Sequence, residues 1–373
     1  MIRIAADKVI GFRLRRHMLD RRVPGESLVE TARALCGVHA QLASSAELAL
    51  WARMDGIQAD DVRTALERDR TLVKTWAMRG TLHLLPSDDL PLYVAVLGPR
   101  WADPGSAWLR GFGLTNAQYD AILDSVPRAL GARPRTREQL ADKLAELAGP
   151  DIRDRVLSGW GALLKPSARR GDLCFGPNRG RNVTFVRPDR WLRLRALPSL
   201  DSGEAARELV RRYLAAYGPA TADDLGRWLG VRGAEPKRLL RAVEDDLVEV
   251  EVAGRPAWAL AVDLDDLQKA PEPSSVRLLP AFDPYVVGFR PRELFVAPKD
   301  ERRVFRPQAW LSPVVLVDGR AAGVWERELR GRRLDVRIEP FARLTAATRR
   351  ALSDESERLA AFLGATVELS HAA

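Results

Sequence analysis

Three observations in this 373-residue sequence predict an α+β protein, with three tandem winged-helix units followed by a small C-terminal β-barrel-like domain. A Pro-x-Thr-x-acidic-x-Leu element at 134–140 returns at 219–225, an offset of 85 residues. Each copy is followed by a basic helical segment and then two short β-rich runs, the order of helix, helix and wing. Beyond residues 268–275 the helical periodicity gives way to short strands separated by turn residues.

The expected units span 1–112, 113–198, 199–268 and 275–373. In the first, SLVETARALCGVHA and SSAELALWARM read as amphipathic helices, with Ser27 and Glu30 spaced as a capping box. ADDVRTALERD is a further helix, and TLVKTWAMRGTLHLL alternates as a hairpin that turns at Arg79-Gly80. In the second unit Thr136 caps a helix carrying Glu138 in its first turn. DIRDRVLSGWGALLKPSARR is its second helix, and GDLCFG with NVTFVRP its wing. The third unit repeats this with Thr221 and Asp223, EPKRLLRAVEDD, and the strands LVEVEVAG and RPAWALAV. QKAPEPSS is a linker by composition. In the last domain VRLLPAFDPYVVGF, ELFVAP, RRVFRP, PVVLVDGRAAGVWERE and RLDVRIEPF read as strands, with a hairpin turn at Asp318-Gly319. TAATRRALSDESERLAAFL is a closing helix and ATVEL a last strand.

An apolar fraction of 46% with 29% charged residues is that of a soluble globular chain. No apolar run approaches the roughly 18 residues of a membrane span. The N-terminus carries charges throughout and has no small-residue cleavage site, so it does not read as a signal peptide. Cys36 and Cys174 lie in apolar stretches and read as buried thiols of a reducing, cytoplasmic compartment. The net charge of +9 favours a polyanionic partner. There is no Gly-rich phosphate loop, zinc spacing or Gly-x-Ser-x-Gly elbow. His17, His39, His83 and His371 are too scattered to make a metal site, so no cofactor is expected.

The stretch with most chemical content is GVHAQLASS, 37–45. On a helix, His39 and Gln41 would diverge by about 200°. In an extended or turning segment they share a side, as they would if a helix ended near Ala40. Imidazole can act as a base near neutral pH, and the amide supplies both a donor and an acceptor. Two readings stand on the residues alone: a structural His39 bonded in a domain interface, or a polar pair around a water.

Candidate nucleic-acid contacts are the basic residues of the second helices and wings. Arg153, Arg155, Lys165, Arg169 and Arg170 lie on the second helix of the middle unit, with Arg179 and Arg181 at its wing tip. Lys237, Arg238 and Arg241 occupy the equivalent helix of the third unit. FRPRELFVAPKDERRVFRP has six basic and three acidic residues, and Arg290, Arg292, Arg302 and Arg303 are expected on a groove-contacting hairpin. Arg79 at its turn is a further candidate contact, whereas Trp76 and His83 read as core or interface residues and Asp283 as a turn cap.

GVHAQLASS, WAMRGTLHLLPSDDL, YGPATADDLGRWLG, LLPAFDPYVVGF and VLVDGRAAGVW together give the chain its family likeness. Over nearly its whole length it resembles the winged-helix family of AlkZ-type and YcaQ-type interstrand-crosslink DNA glycosylases. The resemblance implies tandem winged helices lining a concave DNA channel. It also implies a catalytic motif of Gln, an apolar residue and Gln, or Asp at the second polar position in the YcaQ-type branch. His39-Ala40-Gln41 matches the AlkZ-type form at its second polar position and departs from it at the first.

The activity implied by this resemblance is that of a monofunctional glycosylase for N7-alkylated purines, crosslinks or bulky adducts, serving DNA repair or antibiotic self-resistance. His39 and Gln41 would be catalytic, and Ala43, Ser44 and Ser45 would leave room for the lesion. Its partner would be alkylated or crosslinked duplex DNA near the nucleoid, and its state monomeric, since no long heptad run is present. A regulator that binds DNA without chemistry is the competing reading, separable because it would tolerate loss of His39 and Gln41.

Overall fold

The computed structural model describes residues 2–99 and 105–371, and is an α+β protein whose sheets are all open. The chain forms two compact units, one from residues 1–62 with 210–373 and one from 63–209. Among the described residues no helix is long and apolar enough to cross a membrane.

The first unit is assembled from both ends of the sequence. Strand Ile2–Ile4 runs parallel to Leu247–Val252, which pairs antiparallel with Arg255–Leu260. Helix Ala6–Arg16 packs Val9 and Phe12 against this sheet through Ile4, Val250, Val252, Ala257 and Ala259. The linker 268–275 is not free chain. Lys8 Nζ donates to Ala270 O at 2.8 Å, and a Cβ at Gly11 would sit 2.1 Å from Pro271 O. His17 is equally committed, with Nε2 donating to Ala216 O at 3.1 Å and its ring edge-on to Tyr217 and Tyr285. Burial first, then the nearby Arg53 and Arg13 guanidiniums, hold its pKa well below the ordinary value, so the ring is neutral.

The C-terminal strands form a five-stranded sheet in the order Val276–Leu279, Val314–Val317, Arg320–Arg330, Arg333–Pro340, Thr366–His371. The expected barrel does not close, and Val276–Leu279 and Thr366–His371 remain as edges. Helix Ala346–Phe362 packs on both edge strands, burying Leu352, Leu359 and Phe362, and so covers the face that closure would enclose. The Asp318-Gly319 turn is as expected, with φ of 48° and 75°. A Cβ at Gly319 would lie 2.2 Å from Ile10 Cγ2, so glycine is required there on two counts.

ELFVAP and RRVFRP are not strands. Between Leu279 and Val314 the chain makes short helical turns, Pro284–Gly288, Arg292–Leu294, Pro298–Asp300, Glu301–Val304 and Pro307–Ala309, and a single isolated bridge, Phe305↔Leu311. Pro284, Pro291, Pro298 and Pro307 each remove a ladder donor, which a strand would need and a first helical turn does not.

In the second unit the hairpin Leu72–Trp76/Leu82–Pro86 and the wing Cys174–Arg179/Asn182–Val186 share one sheet, joined at Lys74↔Phe175. Trp76 lies edge-on to Phe175 at 4.8 Å and near Phe185, in the core. Thr136 caps Arg137–Ala148 in a full capping box, with Gln139 as its partner. In the first unit Thr221 does the same with Asp224 for Ala222–Leu229. The second helix of the middle unit is broken into Ile152–Leu157, a 3₁₀ stretch Gly159–Leu164, and Lys165–Arg169. Ser158 is extended (ψ 168°) and Pro166 starts the last piece, so no continuous ladder can run through. Cys36 and Cys174 are both buried thiols.

One carboxyl in this unit carries a pH dependence. Burial raises Asp172 from 3.8 to about 6, against the opposing pull of Arg170, whose Nε lies 3.1 Å away. Between those values the folded chain retains a proton that the unfolded chain releases, so stability falls as pH rises and levels off above about 6. Asp172→Asn removes the titration. Its urea midpoint, relative to wild type, should climb across that window and then stay constant; a difference independent of pH would refute this.

Candidate active site

Residues 35–45 place His39 at the end of a two-residue strand and Gln41 in the bend before the next helix. Helix Leu28–Ala34 is shorter than its periodicity suggests, because Cys36 (φ 54°) and Gly37 (φ 93°) are both left-handed. The Gly37 amide donates to Ala32 O at 2.8 Å, closing the helix end. Its start also differs from expectation: Ser27 is the N-cap residue but makes no side-chain cap bond, since a 3₁₀ turn precedes it and its ψ is 20° rather than extended. After the turn the backbone is extended over Val38–His39, and the next helix, Ala43–Trp51, begins from Leu42.

The two polar residues differ in setting. His39 is buried at 6% exposure, its ring stacked on Phe282 at 4.9 Å with the planes 18° apart. Gln41, Leu42, Ala43 and Ser44 are exposed. Ser45, expected with Ala43 and Ser44 as part of an open approach, is buried instead. It faces inward because the helix has already begun at Ala43 and turned that position toward the core.

Phe282, which no sequence pattern singles out, adopts φ 60° and meets Trp310 edge-on at 5.1 Å. Its neighbour Asp283 explains how this conformation is held. Arg53 and Asp283 form a two-pronged ion pair, Nη1 to Oδ2 and Nη2 to Oδ1 both at 2.7 Å, with both side chains fully buried. Arg53 Nη1 also donates to Ala49 O, one of the last carbonyls of helix Ala43–Trp51. Asp283 Oδ1 accepts from the Tyr285 amide, which makes it the turn cap expected of it and also the anchor of the helix behind Gln41. The segment after His39 and the segment holding Phe282 are thus tied together at two points.

The arginines proposed as DNA contacts divide between the units, and several are engaged internally. In the second unit Arg79 (φ 56°) stands at its hairpin turn and donates to His83 Nε2 at 3.3 Å. His83 is therefore the Nδ1–H tautomer, bonded to Thr81 O at 3.0 Å. Arg169 does not reach the surface: it is 6% exposed and donates to Ala77 O at 3.2 Å beneath the same turn. The break in its helix is what turns it inward. Arg170 is exposed and pairs with Asp172. Arg179 folds back on Pro134 O and Gln139, while Arg181 is exposed at the wing tip.

In the first unit the expected groove-contacting hairpin is the proline-punctuated run of turns described above. Arg290 and Arg292 line a cavity of about 480 Å³ together with Thr221, Asp224, Arg227 and Glu301. Burial, then Arg292, brings the Arg290 pKa down to about 10. Arg292 pairs with Glu301 over the Phe305 ring, and Arg303 with Asp300 and Glu339 over Phe341. Arg302 is exposed. A basic hairpin does exist further on, where Arg330, Arg332 and Arg333 surround Gly331 at the tip of Arg320–Arg330/Arg333–Pro340. The run RGRR is visible in the sequence, but only the strand lengths show that it forms a tip.

Among the described residues no cluster of His, Cys, Asp or Glu is placed to hold a metal ion.

A family model described as DNA glycosylase AlkZ-like matches residues 32–362. A curated relative from Streptomyces sahachiroi, an interstrand DNA cross-link repair glycosylase, is 36% identical over 326 residues, 86% of this chain and 87% of the relative. Among solved structures, the DNA glycosylase AlkZ of the same organism matches with a TM-score of 0.86 and 33% identity, over 99% of this chain and 100% of that one.

Proposed function

This chain belongs to the AlkZ-like family of DNA glycosylases, and from that premise we propose that it hydrolyses the N-glycosidic bond of N7-alkylated purines and unhooks interstrand crosslinks. The observation that carries the proposal is a histidine ring fixed by stacking on Phe282, two residues from an exposed amide. A purine alkylated at N7 is cationic and leaves as a neutral base, so no strong acid is needed to expel it. What the site must do is hold a water against C1′ and favour the oxocarbenium charge that develops there. Gln41 orients the water through its carbonyl oxygen, and His39 orients it and takes its proton as oxygen bonds to C1′.

The motif holds no lysine, so there is no Schiff-base or lyase step. Ala43 and Ser44 leave the approach to Gln41 uncrowded, which suits a bulky adduct better than extrusion into a tight pocket would. Residues 113–198 and 199–268 act as winged helices on duplex DNA, with 1–112 as a looser third. The capping boxes at Thr136 and Thr221 and the strand pairs that come after them support this. Of the candidates for phosphate contact, Arg170, Arg179, Arg181 and Arg302 are exposed and Arg79, Arg290, Arg292 and Arg303 half-buried, while Arg169 is buried. The protein acts as a monomer in the cytoplasm.

The test is base release from duplex DNA bearing N7-methylguanine or a nitrogen-mustard crosslink, read as strand cleavage after alkali. Wild type should release base from both. Binding to either duplex without release would leave a DNA-binding regulator in place of an enzyme.

A further inference from the structure

Beyond the water-holding pair lies an aromatic surface that this mechanism does not use. Trp310 is 43% exposed, and its ring meets Phe282, which in turn stacks on His39. The indole is not carried on loose chain. Its carbonyl accepts from the Arg306 amide at 2.9 Å, and its amide lies 3.3 Å from Pro307 O. Gln308 and Ala309, immediately before it, are both left-handed at φ 58°, as is Phe282 at 60°. Three non-glycine residues in this strained region, all under or beside one exposed indole, is a concentration found where a surface is shaped for a ligand. Trp258, also partly exposed, has no such setting: it sits mid-strand in Arg255–Leu260.

We propose that Trp310, backed by Phe282, is a stacking platform adjoining His39 that receives a planar aromatic ring of the damaged DNA. A flat, rigid indole offers its face to any π-system and selects planarity over sequence. The ring has two sources, the unstacked nucleobase itself or an aryl group carried on the adduct, and both present the same chemistry to the indole. The inference rests on the glycosylase reading, since it assigns the platform to the same lesion that His39 and Gln41 act on.

Binding separates the two ideas. Duplexes carrying 2′-fluoro-N7-methylguanine, 2′-fluoro-N7-(naphthylmethyl)guanine or plain guanine bind without being cleaved, because fluorine at C2′ disfavours the oxocarbenium ion. Fluorescence anisotropy then gives the preference for each lesion over the undamaged duplex. Trp310→Ala should lower that preference about 10-fold, while Trp310→Phe retains most of it. A loss with both lesions places the nucleobase on the indole, and a loss with the naphthylmethyl lesion alone places the adduct ring there. Unchanged preference for both, or equal weakening on undamaged DNA, overturns the platform. Should wild type release no base from the 2′-deoxy substrates, the glycosylase reading fails while the Trp310 dependence of binding is still read. Release with no Trp310 dependence fails the platform alone.

Discussion

Asp283→Ala should cost about 3–5 kcal/mol of folding stability, because it leaves the Arg53 guanidinium buried without its counter-charge. Both side chains have no solvent exposure, so water cannot replace the lost carboxylate without opening the core. The cap on the Tyr285 amide goes with it. Replacing both partners, as in Arg53→Met with Asp283→Leu, should recover most of that loss, since an apolar pair leaves no stranded charge. Urea unfolding of the two variants measures this directly. If the double variant unfolds no later than Asp283→Ala, packing rather than charge pairing is what the site requires. Any recovered stability should not bring back full base release, because a leucine side chain at that position cannot cap the turn that holds Phe282 against His39.

The second large effect is on catalysis. His39→Ala and Gln41→Ala should each slow single-turnover base release by about 10²–10⁴-fold, the range expected when a group that orients or accepts a proton from the attacking water is removed. The double variant should fall little further, because two groups holding one water act as a unit. DNA binding should persist in all three, since the phosphate contacts proposed above lie on other residues. His39→Gln is the informative intermediate. It restores a water-orienting amide but gives up the flat ring that stacks on Phe282, so its rate should lie between those of His39→Ala and wild type. Rates indistinguishable from wild type in both alanine variants would place the chemistry elsewhere.

The elements that local rules govern were legible in the sequence, and the site was legible only in part. Thr136 and Thr221 announce their capping boxes through hydroxyl and partner spacing, and Asp318-Gly319 and Arg79-Gly80 announce their turns. Ser27-x-x-Glu30 shows the limit of such reading, because the same spacing fails when the preceding backbone is a 3₁₀ turn. The segment 284–312 shows another: its short apolar runs read as strands, and only the prolines warn that no ladder can form. His39 and Gln41 stood out by composition, but Phe282 and Trp310 did not. Their importance comes from a contact between segments far apart in the chain, for which no local pattern exists. Arg169 likewise looks like any surface arginine until the break in its helix turns it under Ala77.

That long-range contact bears on how the protein comes into being on the ribosome. The unit containing the motif begins with residues 1–62 and resumes only at 210, with a second compact unit between. His39 is therefore translated well before Phe282 exists to stack on it, a gap of 243 residues. At about 5–20 residues per second the interval is roughly 12–50 s, during which the intervening unit can complete its own fold. A nascent or prematurely terminated chain bears His39 and Gln41 without the Phe282 ring against which His39 stacks. On the roles proposed for His39 and Gln41 such fragments release no base, so the arrangement delays base-excising capacity until about three quarters of the polypeptide has emerged.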